Sequence, residues 1–209
     1  MMDRLMPRLE KWAETKFGLD VAVYGHQVQM TGNRGRPDGL LVGPSPALQG
    51  GLMTIAVEGK STDTQRDLLS RIDLRQPIGA GALLALLVGT PVAWFGGAVY
   101  AAAAASGAGL VAGLLARESA TYADAVDQAA KYPANVNLLA LPHILVLSDW
   151  WDVNGQELLR LARRDRIGVI VPTADSLIEL TAPVVRPGNY LKQYCAAEDF
   201  LKQLSDLLR

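Results

Sequence analysis

Cysteine is almost missing from this sequence. Cys195 is the single one in 209 residues, which excludes a disulfide scaffold and a four-cysteine zinc site and fits a reducing compartment. Histidine is nearly as scarce: His26 and His143 stand too far apart for metal-ligand spacing, and His143 beside an apolar run reads as structural. An excess of either charge is missing too. Twenty basic residues against twenty-one acidic ones leave a net charge of −1, so no global positive field draws in nucleic acid. Any such binding needs a local patch. The sequence has no P-loop, no dinucleotide fingerprint and no nucleophile elbow. Residues 1–16 carry Asp3, Arg4, Arg8, Glu10, Lys11 and Glu14, too polar for a secretory leader, so the expectation is a chain that starts in the cytoplasm. What is present excludes disorder: half the residues are hydrophobic and a fifth are charged. The length suits one domain with an added element.

One absence is local. Residues 76–116 carry no charged side chain, and within them 78–95 and 98–116 are each long enough to cross a bilayer. About 18 residues at about 1.5 Å rise reach about 27 Å, close to the hydrocarbon thickness. Gly96 and Gly97 offer the turn between them, and Trp94, Phe95 and Tyr100 lie near it, as an interfacial belt would. Pro91 interrupts the first segment. Arg71, Arg75 and Arg117 flank the outer ends and place that side in the cytoplasm. The expectation is a transmembrane helical hairpin over 77–116, serving as an anchor or assembly surface in the cytoplasmic (inner) membrane, with the bilayer as partner of 78–116 and a homo-oligomer as a further option. The alternatives are a buried helical pair, or a pair used for oligomerisation in a soluble protein.

The remaining segments, 1–76 and 117–209, read as one discontinuous α/β domain. Periodicity predicts a helix over Met2–Phe17, with Leu5, Leu9, Trp12 and Ala13 on one face and Gly18 as the stop. Strands are expected over 21–30, 39–42 and 52–60, a turn over 31–37, a loop over 43–51, and a helix over 64–74 capped by Ser61, Thr62 or Asp63. Beyond the hairpin the expectation is helix 118–132, strand 143–147, helix 156–164, strand 167–171, a short helix near 173–180 and a terminal helix 190–208. A meander joined to parallel strands through helical crossovers implies a mixed β-sheet flanked by helices, with the apolar hairpin inserted in a crossover.

The second and third of these strands hold the residues with chemistry. Pro37 and Asp38 open the second strand, and the third ends in Glu58, Gly59 and Lys60. Glu58 and Lys60 are i and i+2 on a strand and share a face, and antiparallel pairing brings Asp38 beside them. Two carboxylates, with the Gly59 carbonyl, suit Mg²⁺ (or Mn²⁺), and Lys60 suits water activation and neutralisation of a phosphate. The alternative is a turn aspartate with a cross-strand salt bridge.

This arrangement resembles the PD-(D/E)xK nuclease superfamily, the restriction-endonuclease-like fold. The resemblance rests on Pro37 and Asp38 followed by Glu58, Gly59 and Lys60, set in a helix, three-strand meander and crossover helix, and covers about 1–75 and 117–175. It implies a restriction-endonuclease-like core, catalysis by Asp38, Glu58 and Lys60, and a metal held by Asp38, Glu58 and Gly59. Gln128 and Tyr132 resemble the Q-x-x-x-Y signature of RecB-like members and, as i and i+4 on a helix, would contact nucleic acid near the metal. Packing at a helix end is the other reading of that pair.

Arg34 and Arg36, just before Pro37, are candidates for the phosphate backbone. Arg160, Arg163, Arg164 and Arg166 offer a second basic surface for phosphate or lipid headgroups. Glu10 and Glu14 are candidates for a further carboxylate, and Trp150 with Trp151 for base stacking or core packing. The expected function is membrane-anchored, metal-dependent hydrolysis of nucleic acid, DNA ahead of RNA. The alternative is a non-catalytic membrane-associated binding or assembly module on the same fold.

Overall fold

The computed structural model describes residues 2–20, 23–26, 36–49, 51–72, 82–88, 90, 97, 102–109, 111 and 121–194. Two compact units are present: Met1–Leu69 with Ala123–Arg209, and Ser70–Tyr122.

The first unit is built on a six-stranded mixed sheet of Val23–His26 (β1), Gly39–Pro44 (β2), Leu52–Gly59 (β3), Val136–Ala140 (β6), Gly168–Pro172 (β7) and Leu177–Thr181 (β8), in that spatial order, while Ser70–Ile72 (β4) and Thr121–Ala123 (β5) pair separately. Helix α1 (Met2–Phe17) leads into β1 (Val23–His26), β2 (Gly39–Pro44) and β3 (Leu52–Gly59), an antiparallel meander. A 3₁₀ turn (Thr62–Thr64) and the single-turn α2 (Gln65–Leu68) follow β3. After the second unit come α3 (Asp124–Ala130), β6 (Val136–Ala140), α4 (His143–Val146), α5 (Asp149–Arg164), β7 (Gly168–Pro172) and β8 (Leu177–Thr181). β3, β6 and β7 run parallel, and β8 closes the edge antiparallel. Ser70–Tyr122 therefore interrupts the crossover from β3 to β6 and leaves the sheet undivided.

Strand alternation sorts the core into two layers. On one face Met53, Ile55 and Val57 of β3 and Val136, Leu138 and Ala140 of β6 pack against Leu5, Met6, Leu9 and Ala13 of α1. Trp12 is only partly buried at the edge of that layer. On the other face Leu139 joins Val126 and Ala129 of α3 and Leu158 and Leu161 of α5, while Ala56 of β3 joins Tyr132. α1 ends where the sequence says it should. Gly18 adopts φ +62°, and its N–H reaches the Glu14 carbonyl at 2.9 Å. A Cβ there would lie 2.9 Å from Pro46 Cγ. Gly18→Ala is expected to cost about 1–2 kcal/mol, the penalty of a left-handed L-residue, read as a lower urea midpoint with an unchanged m-value.

Several expected elements differ. The second central strand is 136–140, not 143–147. All five residues of β6 are buried, whereas Ile144 and Leu147 are 68% and 72% exposed on and just after α4. An apolar run does not distinguish a doubly covered strand from a short helix, and Pro142 at the cap starts the helix here. The helix expected near 173–180 is the edge strand β8, entered by a tight turn in which the Thr173 N–H reaches the Ser176 carbonyl at 2.9 Å. The helix expected over 64–74 stops at Leu68, and Ser70–Ile72 is a strand. Over 118–132, Thr121–Ala123 is a strand and the helix is Asp124–Ala130. β2 runs two residues into the expected loop, to Pro44, and α5 starts seven residues earlier than 156. Of the terminal helix 190–208, the described part is a 3₁₀ turn, Leu191–Gln193. Residues 195–209, most of the turn over 31–37 and the flanks of the first strand lie outside the described residues.

Ser70–Ile72 and Thr121–Ala123 form a two-stranded sheet, and within the second unit 82–88 and 102–109 are helical. No helix among the described residues is long and apolar enough to cross a membrane. The rest of the expected spans 78–95 and 98–116, with Trp94, Phe95 and Tyr100, lies outside the described residues.

Candidate active site

The register of β2 against β3 sets the site. Gly39 pairs with Val57, so Asp38, one step before β2, lies beside the carboxyl end of β3. Asp38 Oδ2 accepts the Gly59 N–H at 2.8 Å, which ties the mouth of β2 to the last residue of β3. Glu58 belongs to the face of β3 opposite α1, because Val57 points into the α1 layer. Lys60 follows two residues later, and its own N–H is held by the Ala140 carbonyl at 3.0 Å, extending the β3–β6 pairing one step.

Glu58 and Lys60 are both buried, at 4% and 6% exposure. Lys60 Nζ donates to Glu58 Oε1 at 2.8 Å and to Gln128 Oε1 at 2.9 Å. A third acceptor, Asp67 Oδ2 on α2, stands 3.9 Å away. The other Glu58 oxygen, Oε2, accepts from the Tyr132 hydroxyl at 2.7 Å. The Arg36 carbonyl lies 3.1 Å from that hydroxyl, and Gln128 Nε2 donates to it at 3.3 Å. Taking two charges out of water costs several kcal/mol per ion, and this ring of donors and acceptors is what offsets it.

Gln128 and Tyr132 thus touch the Glu58–Lys60 pair, and Tyr132 also packs in the core with Leu40, Val42 and Ala56. α3 presents Gln128, and Tyr132 follows within one turn of its end, so both reach the same end of β3. Burial and the Glu58 carboxylate push the Tyr132 phenol well above its ordinary value, and burial does the same to Tyr194. Both phenols are therefore neutral in the folded state at pH values where the unfolded chain ionises. Their contribution is complete below about pH 10, the ordinary phenol value, and is lost progressively as pH rises from there through the raised folded values. Tyr132→Phe is expected to flatten the fall in stability between about pH 10 and 11, measured by urea unfolding across that range.

Other candidates fall elsewhere. Glu10 and Glu14 sit on α1, which covers the face of β3 opposite Glu58, so neither joins the cluster. Arg36 contributes its carbonyl, with an exposed side chain, and Arg34 lies outside the described residues. Arg160 forms a two-pronged pair with Glu157 at 2.7 and 2.9 Å, and Arg164 pairs with Asp165, which draws both away from a phosphate-binding role. Trp150 and Trp151, in the first turn of α5, pack against the core, and His143 is the exposed first residue of α4. Asp67 was not legible in the sequence, since nothing about its spacing from Glu58 or Lys60 announces the contact.

Among the described residues there is no group of three or more His, Cys, Asp or Glu that would hold a metal ion by protein ligands alone. Mg²⁺ does not ask for one. It keeps several waters and takes one or two carboxylates, and the hard oxygens of Asp38 and Glu58, beside Gly59, fit that demand better than that of zinc. No family model, curated protein or solved structure matches this chain.

Proposed function

We propose that this protein is a metal-dependent nuclease of the PD-(D/E)xK type, hydrolysing phosphodiester bonds of nucleic acid, DNA ahead of RNA, and held at the cytoplasmic membrane by the segment 77–116. The observation that carries the reading is the convergence of Asp38, Glu58, Lys60, Gln128 and Tyr132 at one sheet end, from three separate parts of the chain. Mg²⁺ or Mn²⁺ on Asp38, Glu58 and the Gly59 carbonyl would supply Lewis acidity, lowering the pKa of a water and stabilising charge on the phosphate. The chain's own groups do the rest. Lys60, positioned by Glu58 and Gln128, orients the attacking water and neutralises charge on the phosphoryl oxygens. Tyr132 fixes the rotamer of Glu58, and Gln128 that of Lys60.

The test is cleavage of supercoiled plasmid and of a labelled single-stranded oligonucleotide by the purified full chain, with Mg²⁺ or Mn²⁺ and with chelator. Metal-dependent cutting that Asp38→Ala abolishes supports the reading. One observation favours the rival, a non-catalytic binding module: both Glu58 oxygens already have protein donors, as in a purely structural lock. Binding of DNA without cleavage under every metal condition would select it.

Membrane anchoring draws its support from the uncharged stretch 76–116 and from its described leucines. Leu83, Leu86 and Leu87 are 63%, 67% and 62% exposed, a greasy surface that water does not favour. Deleting 77–116 is expected to move the protein from the membrane fraction to the supernatant, and retention in the pellet would end the anchor assignment.

A further inference from the structure

Glu58 and Lys60 present a conflict that the resting geometry does not resolve. Both Glu58 oxygens carry protein donors, Oε1 the Lys60 Nζ at 2.8 Å and Oε2 the Tyr132 hydroxyl at 2.7 Å, so a divalent cation that takes Oε1 meets the ammonium there. Two cations cannot share that position without strong repulsion, so the ammonium must swing aside as the metal arrives. Its stem is buried and its choices are few. Gln128 Oε1 is neutral and already engaged. Among the described residues a further acceptor is Asp67 Oδ2, 3.9 Å away, too long for a direct hydrogen bond and short enough for a small torsional move to close. Asp67 is also well placed to receive it. Its neighbour Leu68 is 1% exposed and locks α2 into the core with Val126 and Ala129 of α3, while the Asp67 side chain keeps 41% of its surface toward water.

We propose that Asp67 is a positioning residue for the metal-loaded site: it takes the Lys60 ammonium when a divalent cation claims Glu58. This rests on the metal-site reading above and goes beyond it, because it assigns a part to a carboxylate outside the Asp38, Glu58 and Lys60 set. Asp67 acts through Lys60 and does not ligate the metal. Without it the ammonium stays on Glu58 and competes with the metal for the same oxygen.

Calorimetric titration of the full chain with MnCl₂ tests this in a two-by-two cycle. Asp67→Asn is expected to weaken Mn²⁺ binding by about tenfold, within the usual range for coupled neighbours. In a Lys60→Met background the same change is expected to have little effect, because no ammonium is left to relocate. Asp67→Glu is expected to restore most of the affinity. Equal weakening in both backgrounds would mean that Asp67 acts as a remote charge or a ligand, and would overturn the proposal, as would wild-type affinity in Asp67→Asn. Should Lys60→Met fail to fold, the ¹³C resonance of the Asp67 carboxyl in the wild type answers instead. A shift on Mg²⁺ addition that Lys60→Arg alters supports relocation, and an unmoved resonance refutes it. A wild-type chain that binds no Mn²⁺ at all would overturn the metal reading itself, a result separate from either failure of Asp67.

Discussion

Lys60→Met is expected to slow phosphodiester cleavage by about 10²–10⁴-fold, the range for a positioned proton-handling or charge-neutralising group. Glu58 and Gln128 both hold the Lys60 amine, and methionine matches its stem without its charge. Metal binding should persist in this variant, because Asp38 and Glu58 remain, and should strengthen if Lys60 competes for Glu58 Oε1. Asp38→Ala should behave in the opposite way. It removes a carboxylate that ties β2 to the Gly59 N–H and would serve as ligand, so Mn²⁺ binding and cutting fall together. Single-turnover cleavage beside Mn²⁺ calorimetry separates the two patterns, and cutting by Lys60→Met at the wild-type rate would defeat the assignment.

The burial of Glu58 alters one expectation about these variants. Charged clusters at active sites often cost stability, which suggests that removing Lys60 is harmless to the fold. Here Glu58 is 4% exposed, and losing its ammonium leaves a buried carboxylate with Tyr132 as its donor. Breaking a buried pair from one side costs about 3–5 kcal/mol unless the carboxyl takes up a proton. Thermal melts should therefore accompany every Lys60 measurement.

A stability loss of the same size is expected away from the site, at Asn135. This residue is fully buried just before β6 and ties Thr54 of β3 to the irregular segment at Arg186 and Gly188. Its Oδ1 accepts the Thr54 N–H at 2.9 Å and the Thr54 hydroxyl at 3.0 Å. Its Nδ2 donates to the carbonyls of Arg186 and Gly188 at 2.8 and 2.9 Å. Asn135→Ala deletes all four contacts at once and strands one donor and two acceptors of the main chain. At about 1–3 kcal/mol for each buried group left without a partner, partly relieved by entering water, the loss should be about 3–5 kcal/mol by urea unfolding. The same variant should expose 182–190 to proteases first, since it keeps there the Arg186 bonds to the Asn135 and Asp165 carbonyls but loses both bonds from the Asn135 amide. A loss below about 1 kcal/mol would show that water replaces the amide without penalty.

Much of this molecule was legible one residue at a time. The limits of α1 follow from an apolar stripe at helical spacing and a glycine that alone tolerates φ +62° without strain. The meander β1–β3 follows from alternation and turn chemistry, and with it the meeting of Asp38 with the end of β3. The i, i+2 geometry of Glu58 and Lys60 needs no more than strand pleat, and their hydrogen bond realises it. These are short-range facts, set by dihedral preference and by which neighbour a side chain must face.

Long-range placement decided the rest. Residues 136–140 and 143–147 are both apolar runs, and only the two-layer cover over β6 makes the first a strand and leaves Ile144 and Leu147 facing water. Residues 177–181 became a strand because β7 offered an open edge to pair with. Gln128, Tyr132 and Asp67 reach the cluster through a crossover interrupted by Ser70–Tyr122, so their distances from Lys60 and Glu58 carry no periodic signal along the chain. A sequence states its local angles residue by residue. Which distant groups share a buried charge depends on how the layers close, because only closure removes the water that would otherwise keep them apart.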